Sequence, residues 1–127
     1  MQIYKAPLDE IRFILETFGY NELAGFEGFE DYDLDTAMAV LEESAKFCTN
    51  ELLPLNRTAD QEGLKYNPET GEVTTPKGFK ELYEKFVAQG ATALTAPPEF
   101  GGFGAPHTLG VLQTEFATAT NKSFSMC

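Results

Sequence analysis

The stretch Asp33-Leu34-Asp35-Thr36-Ala37-Met38-Ala39-Val40-Leu41-Glu42-Glu43-Ser44-Ala45-Lys46-Phe47-Cys48-Thr49-Asn50-Glu51-Leu52-Leu53-Pro54 decides the fold. Leu34, Ala37, Leu41, Ala45, Cys48 and Leu52 recur at three- and four-residue spacing, which makes one stripe of an α-helix apolar along its length. Met38, Val40 and Phe47 flank that stripe, while Glu42, Glu43, Lys46 and Glu51 fall off it toward water. Asp33 suits the N-cap, because its carboxylate can accept a free amide hydrogen of the first turn. Pro54 has no N–H to give and is expected to stop the helix at about Leu53. A stripe of this kind calls for other helices to pack against it.

The flanking sequence supplies them. Before Asp33, Pro7 suits a first helical position, with Asp9 and Glu10 in the first turn. Leu8, Ile11, Ile14 or Leu15, and Phe18 carry the helical period, and Gly19 closes it. Asn21 to Asp31 is rich in Gly, Phe and Glu without a period and is expected to be a loop. After Pro54 the chain is polar from Asn56 to Thr75, where Lys65-Tyr66 and Glu72-Val73-Thr74 can pair around the turn-forming Asn67-Pro68-Glu69-Thr70-Gly71. Thr75 and Pro76 are expected to open a helix burying Phe79, Leu82, Tyr83, Phe86 and Val87, with Gly90 at its end. Thr108 can cap a further helix carrying Leu109, Leu112, Phe116 and Ala119 on one face. Asn121-Lys122 interrupts it, and Ser123-Phe124-Ser125-Met126-Cys127 starts another apolar element that is expected to be cut short. The fold class expected is all-α, an orthogonal or up-down helical bundle with a small hairpin insertion.

Between the last two large helices lies Pro97-Pro98-Glu99-Phe100-Gly101-Gly102-Phe103-Gly104-Ala105-Pro106, with three prolines, three glycines and two phenylalanines in ten residues. Proline stiffens its shoulders and glycine frees its middle, so rings can be held where backbone approaches a neighbour closely. A binding loop is built this way, and so is a connector.

Composition bounds the functions open to the chain. Its 127 residues make one modest core, and twenty acidic against nine basic residues give a net charge of −11. That charge argues against nucleic acid and anionic membrane surfaces as partners. No stretch is long enough to span a bilayer and no basic-then-apolar leader is present, so a cytoplasmic protein with reduced thiols is expected. The cysteines Cys48 and Cys127 and the single His107 lack partners at metal-ligand spacing, so no metal site is expected. His107 is no better placed as the base of a nucleophile pair. Gly101-Gly102-Phe103-Gly104 is not followed by Lys-Ser/Thr and is not a phosphate loop. From the residues alone, this is an acidic helical domain with one unusual loop and no catalytic residues.

Four motifs, in order, carry a resemblance. Tyr4-Lys5-Ala6-Pro7-Leu8-Asp9-Glu10-Ile11-Arg12-Phe13 with Leu15, then Leu53-Pro54-Leu55-Asn56, then Thr75-Pro76-Lys77-Gly78-Phe79-Lys80-Glu81-Leu82-Tyr83, then Pro97 to Gly104 resemble the N-terminal helical domain of acyl-CoA dehydrogenases. The first resembles the N-terminal extension of a larger subgroup that acts on 3-methylthiopropionyl-CoA and on broad fatty acyl-CoA substrates. The resemblance implies an extension over 1–32 and a helical domain over 33–127, truncated at its C-terminal end. It implies a homo-oligomeric parent flavoprotein that oxidises acyl-CoA to the trans-2-enoyl thioester, a glutamate taking the α-proton and FAD the β-hydride. Both the flavin domain and the catalytic glutamate would lie in the remainder of the parent chain. Hence no catalytic residue is expected here, Glu99 and Glu115 included, and no FAD on these residues alone. The expected contribution is one wall of the acyl pocket, with Phe100, Gly101, Gly102, Phe124, Ser125 and Met126 as substrate-side residues. Apolar faces left without neighbours imply self-association of the isolated domain. The alternative is a free-standing helical interaction module without flavin.

Overall fold

The computed structural model of the chain describes residues 2–126. Asp33 caps the central helix α2 (Leu34–Phe47), its Oδ1 accepting the Thr36 amide hydrogen at 2.8 Å. Every residue of the apolar stripe, from Leu34 through Ala37, Leu41, Ala45 and Cys48 to Leu52, is buried. The helical path does not stop at Pro54, contrary to expectation. Cys48–Leu52 forms one wide π turn, in which the Leu53 amide donates to the Cys48 carbonyl, and α3 (Leu53–Glu62) continues from it. Pro54 lies at the start of α3, where its φ is already helical and the amide hydrogen it lacks is not missed. The first part of the supposed polar stretch is therefore helical.

Around this spine the remaining helices fall roughly where their periodicity puts them. α1 (Leu8–Thr17) packs on α2 through Ile11 and Leu15. Phe18 does not join them and is 85% exposed, because it follows the last helical residue and its ring leaves the buried arc. Asn21 to Asp31 is not all loop, since Tyr20–Gly25 forms a 3-10 helix, and Asn21 Oδ1 accepts the Leu34 amide hydrogen at 3.0 Å. Strands β1 (Lys65–Tyr66) and β2 (Val73–Thr74) form the expected antiparallel hairpin, Tyr66 opposite Val73.

α4 (Phe79–Ala88) begins at Gly78 rather than at Thr75, with Leu82 buried, Phe79 and Phe86 half-buried, and Tyr83 and Val87 exposed. Those last two were expected inside, but little of this chain covers that side of α4. α5 (His107–Thr120) starts after Pro106, one residue before the supposed Thr108 cap, and lies along α2. Its buried face holds Leu109, Phe116, Ala117 and Thr120, whereas Ala119 is exposed. The short α6 (Lys122–Ser125) turns back on α5 and α3. Cys127 lies outside the described residues. The domain is all-α with a small hairpin insertion, and among the described residues no helix is long and apolar enough to cross a membrane.

Candidate functional site

The end of α5 is fixed by one buried amide. Asn121 is 1% exposed, and its Nδ2 donates to the Leu52 carbonyl at 3.1 Å. Its Oδ1 accepts the Phe124 amide hydrogen at 3.2 Å and the Ser123 hydroxyl at 3.0 Å. The amide thus joins the π turn to α6, and α6 carries Phe124 into an aromatic cluster. Phe124 meets Phe86 edge-on with centroids 5.4 Å apart and Phe79 at 5.8 Å, while Phe86 also reaches Phe47 at 6.0 Å. Edge-to-face geometry is the arrangement the ring quadrupoles favour, so the cluster holds Phe124 in one orientation.

Phe124 and Ser125 together line a cleft of about 180 Å³ with Phe86, Tyr83, Ala117 and Gln113. Thr118 donates to the Ser125 hydroxyl at 3.1 Å, and that hydroxyl donates to the Lys122 carbonyl at 2.9 Å, which sets its direction. Gln113 also lines a second, mostly apolar cleft of about 410 Å³ bordered by Tyr32, Val40, Gly90, Leu94 and Phe103. Met126 does not join either. It is 76% exposed and borders a hollow beside Arg57 and Lys122.

The loop between α4 and α5 is held by its backbone. The Phe103 amide donates to the Ala93 carbonyl at 3.0 Å, Gly104 to Ala96 at 2.9 Å and Ala105 to Leu94 at 3.0 Å. A Cβ on Gly102 would collide with the backbone carbonyl of Ala96, so only glycine fits there. Phe103 lies over Gly90, where a Cβ would meet its ring at 2.5 Å, and its carbonyl accepts the Tyr32 hydroxyl hydrogen at 2.7 Å. Phe100 stands out at 81% exposed, and Gly101 is exposed beside it. Phe100, Gly101 and Gly102 line neither cleft, so Phe124 and Ser125 share one site and the loop residues stand apart from it.

Few titratable groups here are shifted far. Burial pushes the Cys48 thiol up to about 11, against smaller downward pulls from hydrogen bonds with Thr120 and Ser44. Such a thiol is protonated and unreactive at neutral pH. Burial raises the Tyr32 phenol, with a smaller contribution from Asp31. Glu99, Glu115 and His107 are all exposed. Among the described residues no three His, Cys, Asp or Glu side chains gather to hold a metal. Neither cleft is lined by Lys or Arg, so neither offers a charge partner to a pyrophosphate. Sequence reasoning passed over Asn121, Gln113 and Tyr32. Only Asn121 left a signal, as a polar residue set between two apolar segments.

No protein-family model matches the chain. Its relatives include the 3-methylmercaptopropionyl-CoA dehydrogenase of Ruegeria pomeroyi, 34% identical over 125 residues, which are 98% of this chain and 21% of that protein. They also include the butyryl-CoA dehydrogenase of Syntrophomonas wolfei, 31% identical over 90 residues, 68% of this chain and 15% of that protein. The chain spans about a fifth of the length of the first relative and less of the second. Similar along 98% of its own length to one acyl-CoA dehydrogenase and along 68% to another, the chain belongs to the acyl-CoA dehydrogenase family.

Proposed function

We propose that the chain is the N-terminal helical part of a flavin-dependent acyl-CoA dehydrogenase, with an extension over 1–32 and the helical domain proper over 33–127. It supplies one wall of the acyl pocket and does no chemistry alone. The observation that carries this reading is the 34% identity to a dehydrogenase over 98% of the chain. The aromatic cleft at Phe124 and Ser125 agrees with it, because an acyl tail needs an apolar slot that excludes water. Phe100, Gly101, Gly102 and Met126 are assigned to the substrate side of the assembled enzyme on the family resemblance alone, since they line neither cleft of this chain.

Neither the cleft at Phe124 nor the one at Tyr32 brings a Lys or Arg to a pyrophosphate. On the family resemblance, FAD and the base that takes the α-proton are assigned to the remainder of the parent chain. What these residues contribute is shape: the Phe79–Phe86–Phe124 cluster keeps the slot dry, and Gln113 marks where it meets the neighbouring cleft. The parent is proposed to be a homo-oligomer acting on acyl-CoA in the cytoplasm.

The test is capture of the native protein with an antibody against this domain. A species several times heavier, yellow, and bleached on addition of butyryl-CoA or 3-methylmercaptopropionyl-CoA supports the reading. A colourless native species of 14.0 kDa would replace it with a free-standing interaction module.

A further inference from the structure

We propose that Tyr32 is a positioning residue for the loop between α4 and α5: its hydroxyl holds the Phe103 carbonyl and so fixes where the loop presents Phe100. This rests on the reading that the loop faces substrate in the assembled enzyme.

Phe103 is fixed from three directions. Its amide hydrogen goes to Ala93, its carbonyl takes the Tyr32 hydrogen at 2.7 Å, and its ring covers Gly90, which has no Cβ to obstruct it. Next to it, Gly102 sits against the Ala96 carbonyl in a space no Cβ can share. The base of the loop thus has one geometry, while Phe100 three residues away is 81% exposed. Two of the three restraints on Phe103 come from the segment Gly90–Ala93 next to the loop. The third comes from Tyr32, 71 residues earlier in the sequence.

Tyr32 is itself anchored. It is half-buried against the core, and its amide donates to the Phe29 carbonyl at 2.9 Å. It stands one residue before the cap of α2, so its backbone is set by the entry of the central helix. The phenol and Phe103 also border the same cleft, so the bond closes one side of it. Tyr32 is the last residue of the extension over 1–32. In that division the extension hydrogen-bonds to the loop through the Tyr32 hydroxyl, and holding the loop is the task we assign to it. Without the hydroxyl, the Phe103 carbonyl turns to water and the loop gains other conformations. Only the fraction with the loop in place then binds substrate well, which raises the apparent dissociation constant and leaves the chemical step alone.

The experiment is Tyr32→Phe in the full-length enzyme, which keeps the ring and removes the oxygen. KM for butyryl-CoA is expected to rise about fivefold, the scale of one neutral hydrogen bond, with kcat near the wild-type value. Amide hydrogen exchange is expected to quicken at Phe103 and Ala105, with the melting temperature almost unchanged. An unchanged KM overturns the proposal, even where exchange quickens, because the bond would then serve the fold alone. A parallel loss of kcat and melting temperature overturns it too. Failure of the dehydrogenase reading is distinguishable, since the wild-type enzyme would then not reduce its flavin with any acyl-CoA before a substitution is made.

Discussion

The spine formed by α2, the π turn and α5 differs from the loop at 97–106 in what holds it. In the spine, Leu41, Leu52, Leu109 and Phe116 are each 0% exposed, and side chains fill the space between helices. In the loop, Phe100 and Phe103 are 81% and 58% exposed, and the order comes from amides bonded to the carbonyls of Ala93, Leu94 and Ala96. One region is specified by side chains that must be large, the other by side chains that must be absent. The two should therefore answer oppositely to the same kind of substitution.

The largest effect is expected in the spine. Phe116→Ala removes a fully buried ring and should cost about 3–5 kcal/mol, read from the urea midpoint at constant slope. A loss of less than about 1 kcal/mol would mean that the spine collapses around the cavity and is not tightly packed. The loop should show the reverse pattern. Gly102→Ala adds one methyl group into the Ala96 carbonyl and should cost about 1–3 kcal/mol, whereas Phe100→Ala, which removes a whole ring, should stay within about 0.5 kcal/mol. Equal costs for the two would break the contrast.

Cys48 sharpens the spine side through pH. Its folded-state value is raised from 9.0 to about 11, so the fold favours the neutral thiol. The stability linked to it is complete below about 9 and is lost as pH climbs from there toward 11. Cys48→Ala should remove that part of the alkaline slope of the urea midpoint. An identical slope in the variant would show that other groups carry it.

The same contrast explains what could be read from the sequence. The α2 stripe was legible because burial by side chains leaves a period, and all six of its residues are buried as the spacing requires. The hairpin was legible because Asn67 to Gly71 is turn chemistry. Pro54 misled because a proline stops a helix only where its N–H is needed, and the π turn before it shifts that need. Tyr83 and Val87 carry the right period on a face that this chain leaves uncovered, and Phe18 carries it one residue past the end of α1. The loop's glycines were visible, but their partners were not, since Ala93, Leu94 and Ala96 act through backbone atoms that every residue has. For the same reason nothing in the sequence tied Tyr32 to Phe103. Within the candidate site, Phe124 and Ser125 share one cleft, while Phe100, Gly101, Gly102 and Met126 lie elsewhere on the surface.

The direct test of the pocket-wall role is the acyl-chain preference of the full-length enzyme carrying Ser125→Leu, measured as kcat/KM over a series of acyl-CoA lengths. Leucine would fill the cleft beside Phe124 and Phe86, so the longest substrates should lose activity most and the shortest should be nearly spared. A uniform fall across all lengths, or none at all, would contradict a role for this cleft in receiving the acyl chain.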